Sequence, residues 1–193
     1  MASTRAAILQ PRPVCWSDAH MDEQRFVRGH AEGSDPVATP SLSDEVQLIV
    51  GDYEEQLAPV AIIVATREER VAMSECGREL TSRGIDHQFF EISPHRNAGV
   101  FARFVEDAAL KGVRVVIAAG GVVPAMASSV ASFTELPVIG VPLSNGALNG
   151  LDALLATAQS APGVPVACMS VDGIRNSAIF ASRILSAIPM PPG

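Results

Sequence analysis

His87-Gln88-Phe89-Phe90-Glu91-Ile92 runs directly into Ser93-Pro94-His95-Arg96-Asn97. The first six residues are aromatic and β-branched, and Gly84 and Pro94 bound them, which favours a strand. Beyond the turn, Val100, Phe101, Phe104, Val105 and Ala108 recur at helical spacing, so a helix is expected over about 97–111. The junction is a strand-to-helix turn that carries an imidazole and a guanidinium.

The same unit repeats outward on both sides. Apolar runs lie at Val60–Val64, Val113–Ala118, Pro137–Val141 and Val164–Met169, and helices are expected at about 68–83, 123–134, 147–159 and 174–187. Runs this uniformly apolar suit parallel strands covered on both faces. Strand–helix alternation implies right-handed crossovers and an α/β fold, a three-layer doubly wound parallel sheet of about five strands of the flavodoxin-like kind.

Before this pattern the chain changes character. Residues 1–45 mix Pro11, Pro13, Pro36 and Pro40 with glycines, serines and acids and show no sustained period, so they read as a flexible arm. A short element over Ser43–Ala58 could be helix or strand. Residues 46–188 are expected to form a single α/β domain, and 189–193 a tail.

Composition excludes several classes of function. The 193 residues are 48% hydrophobic with a mean hydropathy of +0.25, ample for a buried core. A net charge of −7 and scattered Lys and Arg argue against nucleic acid as a partner. Cys15, Cys76 and Cys168 show neither disulfide nor metal-ligand spacing, so no metal is expected and a reducing compartment suits the chain. No apolar run is long enough to span a bilayer. The expectation is a cytoplasmic protein with no membrane partner.

In an open parallel sheet, ligands bind beyond the carboxyl ends of the strands. The loops expected there hold Thr66, Arg67 and Glu69, then Ser93, His95 and Arg96, then Gly120 and Gly121, then Ser144 and Asn145, and finally Ser170–Gly173. Free N–H groups at such turns suit a phosphate or carboxylate. Elsewhere the plain readings hold. His20 and His30 belong to the arm, His87 pairs locally and Cys76 is a core thiol. Asp152 complements a helix dipole, and Asp172 caps the last helix.

From about Pro59 to Leu185 these loops resemble the N5-carboxyaminoimidazole ribonucleotide mutase family, also known as the catalytic subunit of phosphoribosylaminoimidazole carboxylase. Ser93-Pro94-His95-Arg96 is similar to that family's Ser-Ala-His-Arg. Gly140-Val141-Pro142 and Ala147-Leu148-Asn149-Gly150-Leu151-Asp152-Ala153-Leu154 are similar to its Gly-Val-Pro and Ala-Leu-Ser-Gly-Val-Asp-Ser-Leu. Gly163-Val164-Pro165-Val166 and Asn176-Ser177-Ala178 fall where it has Gly-Ile-Pro-Val and Asn-Ala-Ala.

The resemblance implies carboxyl transfer or decarboxylation on an aminoimidazole ribonucleotide or a related heterocycle, with CO2 as co-substrate or product and no cofactor. It makes His95 the proton carrier, assisted by Ser93. It makes Thr66, Arg67, Glu69, Arg96, Gly120, Gly121, Ser144 and Asn145 substrate-binding residues, and the assembly a homo-oligomer, an octamer or smaller. An imidazole titrates near neutrality and so can take and return a proton without large tuning.

Several positions depart from the family. Its Gly-Ser-x-Ser-Asp reads here Ala65-Thr66-Arg67-Glu68-Glu69, which sets a carboxylate where the second serine stands and lengthens the aspartate by one methylene. The third loop lacks the family's histidine, the last loop is two residues shorter before Asn176, and the family's longer C-terminal helix is not found before Gly193. These changes leave two alternatives, a ribonucleotide-binding or scaffold paralogue without activity, and a carboxylase of the pyridinium-dicarboxylate nucleotide type.

Overall fold

Five parallel strands make one sheet in the order β2-β1-β3-β4-β5: β1 (Val60–Val64), β2 (His87–Glu91), β3 (Val115–Gly120), β4 (Val138–Pro142) and β5 (Ala167–Cys168). Among the described residues the helices are α1 (Arg67–Ala72), α2 (Ser74–Ser82), α3 (Ala98–Asp107), α4 (Met126–Ala131), α5 (Leu151–Ala158) and α6 (Ile174–Ala187). The computed structural model describes residues 56–187. The expected arm over 1–45, most of the element at 43–58 and the tail at 189–193 lie outside them.

Side chains alternate across a strand, and β1 shows why its whole run is apolar. Ala61 and Ile63 face one core with Phe101, Phe104 and Val105 of α3 and Met126 and Val130 of α4. Val60, Ile62 and Val64 face the other with Met73, Cys76 and Leu80 beside α2 and Ala178 and Ala181 of α6. With α5 packed on β4 and β5, the sheet lies between two helical layers, the doubly wound arrangement expected. At Gly140 in β4 an added Cβ would overlap Thr157 Cγ2 of α5 and come within 2.9 Å of Ala127 Cβ, so the glycine lets both helices close on the strand.

Local chemistry moved some boundaries. The helix expected over 68–83 is two helices joined at Met73 (φ −73°, ψ 0°), whose buried side chain enters the core. β3 starts two residues late because Gly112, at φ +101°, and Val113 N–H, bonded to Ala108 O at 3.0 Å, close the turn after α3. α5 starts at Leu151 rather than near 147 because Asn149 (φ 49°) and Gly150 (φ 86°) are left-handed. β5 keeps two residues of the six expected, since Pro165 offers no N–H and Val164 N–H is spent on Ala161 O at 3.0 Å.

Candidate functional site

Because all five strands run in parallel, the loops after them share one rim. In the first, Thr66 holds an extended backbone and caps α1, its Oγ1 accepting the Glu69 N–H at 3.3 Å. The Glu69 side chain turns back beneath the rim and is wholly buried. Its Oε2 accepts the Ala65 N–H at 2.9 Å, and its Oε1 accepts the N–H groups of Gly121 at 3.0 Å and Val122 at 3.2 Å. Among the described residues, backbone amides rather than a cation hold this carboxylate.

The same Ala65 peptide is gripped from its other side. Arg96 Nη2 donates to Ala65 O at 2.8 Å, which ties the turn after β2 to the loop after β1. Ile92 N–H, on Val64 O at 2.9 Å, continues the junction. Within the turn Ser93 is buried, and its Oγ accepts the His95 N–H at 3.3 Å. His95 and Arg96 are exposed, and the His95 ring makes no hydrogen bond to a described residue.

Gly121 presses against Asn145 so closely that an added Cβ would overlap the Asn145 Oδ1. Gly146 sits between the Gly121 carbonyl and the Asp152 carboxylate, where an added Cβ would meet Asp152 Oδ2 at 2.8 Å and Gly121 O at 3.0 Å. The last loop joins through Asp172, left-handed at φ 53°, whose Oδ1 accepts the Ser144 N–H at 3.0 Å and whose own N–H donates to Pro142 O at 2.8 Å. A continuous chain of contacts thus runs from the His95 turn through the loops after β1, β3 and β4 to the loop after β5.

The residues singled out from sequence fall into two groups on this rim. His95, Arg96, Arg67, Ser144 and Asn145 are exposed, with Thr66 partly so; Ser93, Glu69, Gly120 and Gly121 are buried beneath them. Glu69 has both oxygens occupied by the loops themselves. Asp172 was expected to cap α6, and its carboxylate is found instead on Ser144, two loops joined by one bond. Asp152 lies in the first turn of α5 as expected, and its Oδ1 is buried without a partner among the described residues. Asp172-Gly173 reads in sequence as a turn and a helix cap, and neither carries a signal for its bridging role.

Electrostatics single out one more group. Glu68 is exposed in the first turn of α1, and its own backbone N–H, then the Thr66 hydroxyl, and least the Arg67 charge, hold its carboxyl below the usual range. Cys76 lies in the opposite sense, wholly buried against Ser177 Oγ at 3.5 Å, and burial pushes its thiol up to about 11. Among the described residues no three His, Cys, Asp or Glu side chains gather as metal ligands do, and no helix is long and apolar enough to cross a membrane.

Residues 59–189 match the AIR carboxylase family. An N5-carboxyaminoimidazole ribonucleotide mutase from Saccharolobus solfataricus is 39% identical over 126 residues, 65% of this chain and 80% of that protein. One from Mycobacterium tuberculosis is 35% identical over 128 residues, 66% of this chain and 74% of that protein. The crystal structure of PurE from Treponema denticola superposes with a TM-score of 0.59 at 22% identity, covering 66% of this chain and 79% of that one, a likeness of fold.

Proposed function

The chain belongs to the AIR carboxylase family, and from that premise we propose that it moves a carboxyl group on an aminoimidazole ribonucleotide in purine biosynthesis, as the names of its relatives describe for them. The observation that carries this reading is the tie between Arg96 and the Ala65 carbonyl, which draws the His95 turn against the loop that begins α1. His95 then stands exposed at the rim with its ring unengaged by the described residues.

The chemistry needs one proton carrier. When a carbamate on the exocyclic nitrogen loses CO2, that nitrogen gains a proton. When the neighbouring ring carbon then adds the CO2, that carbon loses one. His95 delivers the first and removes the second, so protons balance over the cycle without a cofactor. Ser93 and Arg96 orient the substrate, Gly120, Gly121, Ser144 and Asn145 line the site, and Thr66 and Arg67 meet the anionic end. Decarboxylation alone is the same sequence stopped after the first transfer.

The test mixes pure full-length protein with N5-carboxyaminoimidazole ribonucleotide and, separately, with 4-carboxyaminoimidazole ribonucleotide, following absorbance and CO2. Conversion of either substrate that is abolished in His95→Asn supports the reading, and conversion that survives the substitution removes His95 from its role.

A second reading, a ribonucleotide-binding paralogue without turnover, is favoured by Glu68. A carboxylate at the first loop opposes a nearby phosphate, an effect that solvent screens but does not remove. Binding of the ribonucleotide with no conversion selects it. We place the protein in the cytoplasm as a homo-oligomer. Leu148, Leu151 and Leu155 support the assembly, since they leave an apolar patch on α5 and the turn before it, exposed by 61%, 51% and 47%. Light scattering that gives a monomer at micromolar concentration contradicts it.

A further inference from the structure

We propose that the groove between α2 and β2 is a second ligand site, separate from the strand-end rim, that takes a small phosphomonoester carrying a planar ring. The cavity measures about 530 Å³ and is lined by Arg70, Ser74, Gly77, Arg78, His87 and Phe89, with Thr81 and Ser82 at its end. That volume lies in the range of small-molecule sites and far exceeds a free phosphate. None of the lining residues is an acid, on a chain whose net charge is −7.

The groove is open because residue 77 is glycine. A Cβ there would come within 2.8 Å of His87 Nε2 and 3.1 Å of the Phe89 ring. Without it, α2 lies over the edge strand and leaves a floor of glycine backbone and two ring edges, His87 and Phe89 meeting edge to face at 5.9 Å. Such a floor suits a flat apolar body.

The cations above the floor meet no carboxylate among the described residues. The ion pairs among the described residues join Glu79 to Arg83 and to Arg175, so neither Arg70 nor Arg78 meets a carboxylate there. The Arg70 guanidinium rests over the Phe89 ring, 5.2 Å from its centroid, which orients it before any ligand arrives. Arg78 Nη1 donates to Ser74 Oγ at 3.4 Å, and among the described residues the serine hydrogen and the remaining guanidinium N–H groups have no partner.

The other hydroxyls are spoken for. Thr81 Oγ1 donates to Gly77 O at 3.0 Å and Ser82 Oγ to Glu79 O at 2.8 Å. His87 Nδ1 lies 3.3 Å from the Ile85 carbonyl, an acceptor only, so the proton sits on Nδ1, while Nε2 lies against Gly77. Two guanidinium groups and a serine hydroxyl make a receptor for an oxyanion.

Calorimetric titration of the full-length protein with phenyl phosphate, inorganic phosphate and phenol tests this. Phenyl phosphate is expected to bind one site, tighter than either fragment, and Arg70→Gln with Arg78→Gln is expected to weaken it by about tenfold or more, because charge-assisted bonds are lost. Both arginines are exposed, and circular dichroism checks that the double variant is folded. Unchanged affinity in that variant overturns the site. So does weakening in Arg96→Ala alone, which moves binding to the rim. Inorganic phosphate binding as tightly as phenyl phosphate overturns the planar body. None of these outcomes depends on whether His95 turns over the ribonucleotide.

Discussion

Glu69 Oε1 accepts the Gly121 N–H at 3.0 Å across 52 residues of chain, and with Val122 and Ala65 this single buried carboxylate joins the loops after β1 and β3. Those loops flank the point where the sheet order reverses, between β1 and β3, the crevice where doubly wound sheets bind ligands. A side chain that holds both lips of that crevice controls its width.

Replacing Glu69 by Ala leaves three amides without their acceptor and is expected to cost about 3 kcal/mol or more in urea unfolding. Glu69→Gln keeps one acceptor oxygen but turns an NH2 toward an amide donor, with an expected cost of about 1–3 kcal/mol. An alanine variant within about 0.5 kcal/mol of the parent, the range of an ordinary surface change, contradicts the bridging role.

Adjacent glycines in the third loop respond differently. A Cβ on Gly120 overlaps the Val123 carbonyl, which is backbone and cannot step aside, so Gly120→Ala is expected to lose about 3 kcal/mol. A Cβ on Gly121 overlaps the tip of the exposed Asn145 side chain, which can swing into solvent. Gly121→Ala should therefore stay within about 1 kcal/mol of the parent. Turnover should fall all the same, because Asn145 leaves the rim; thermal melts and assays of both variants read the contrast.

Burial raises the Cys76 thiol to about 11. Its neutral form is thus favoured in the folded protein, and the contribution is fully present below the thiol's unfolded range. It is lost as pH rises from about 9 to about 11, where the unfolded chain ionises first. The loss is on the order of 2 kcal/mol. Cys76→Ala should flatten that alkaline slope in denaturant titrations, and in the native parent iodoacetamide should label Cys168, partly exposed, ahead of Cys76.

Glu79 binds Arg83, the residue that caps its own helix, at 2.6 Å and Arg175 of α6 at 2.9 Å. The Arg83 hydrogen bond, then Arg175, holds its carboxyl low. A depressed folded value means that the contribution is present above the ordinary carboxylate range and is lost as pH falls through the folded value. Glu79→Gln should reduce the acid dependence of the melting temperature, and added salt should shrink the gap between variant and parent. Equal acid profiles for the two proteins contradict the pairing.

Much of this could be read along the chain. β1 was placed to the residue, since Val60–Val64 is a compact apolar run, and α6 matched because Gly173 and a sustained period mark it. The boundaries that moved did so where one residue overrode a period, as Gly112 and Gly150 did through left-handed backbone and Pro165 through its missing N–H. On the rim, the His95 turn was legible because a strand, a proline and a helix meet there in eleven consecutive residues, His87 to Asn97.

Local pattern determined the elements, their order and which loops would gather at one edge, because hydrophobic period and turn chemistry act over a few residues. Which side chains bind across that edge was decided only by the packed sheet. The separations of 52 positions from Glu69 to Gly121 and 28 from Ser144 to Asp172 carry no periodic signal. A buried carboxylate takes whatever donors the neighbouring strand brings within 3 Å, and that neighbour is set by strand order, a property of the whole chain.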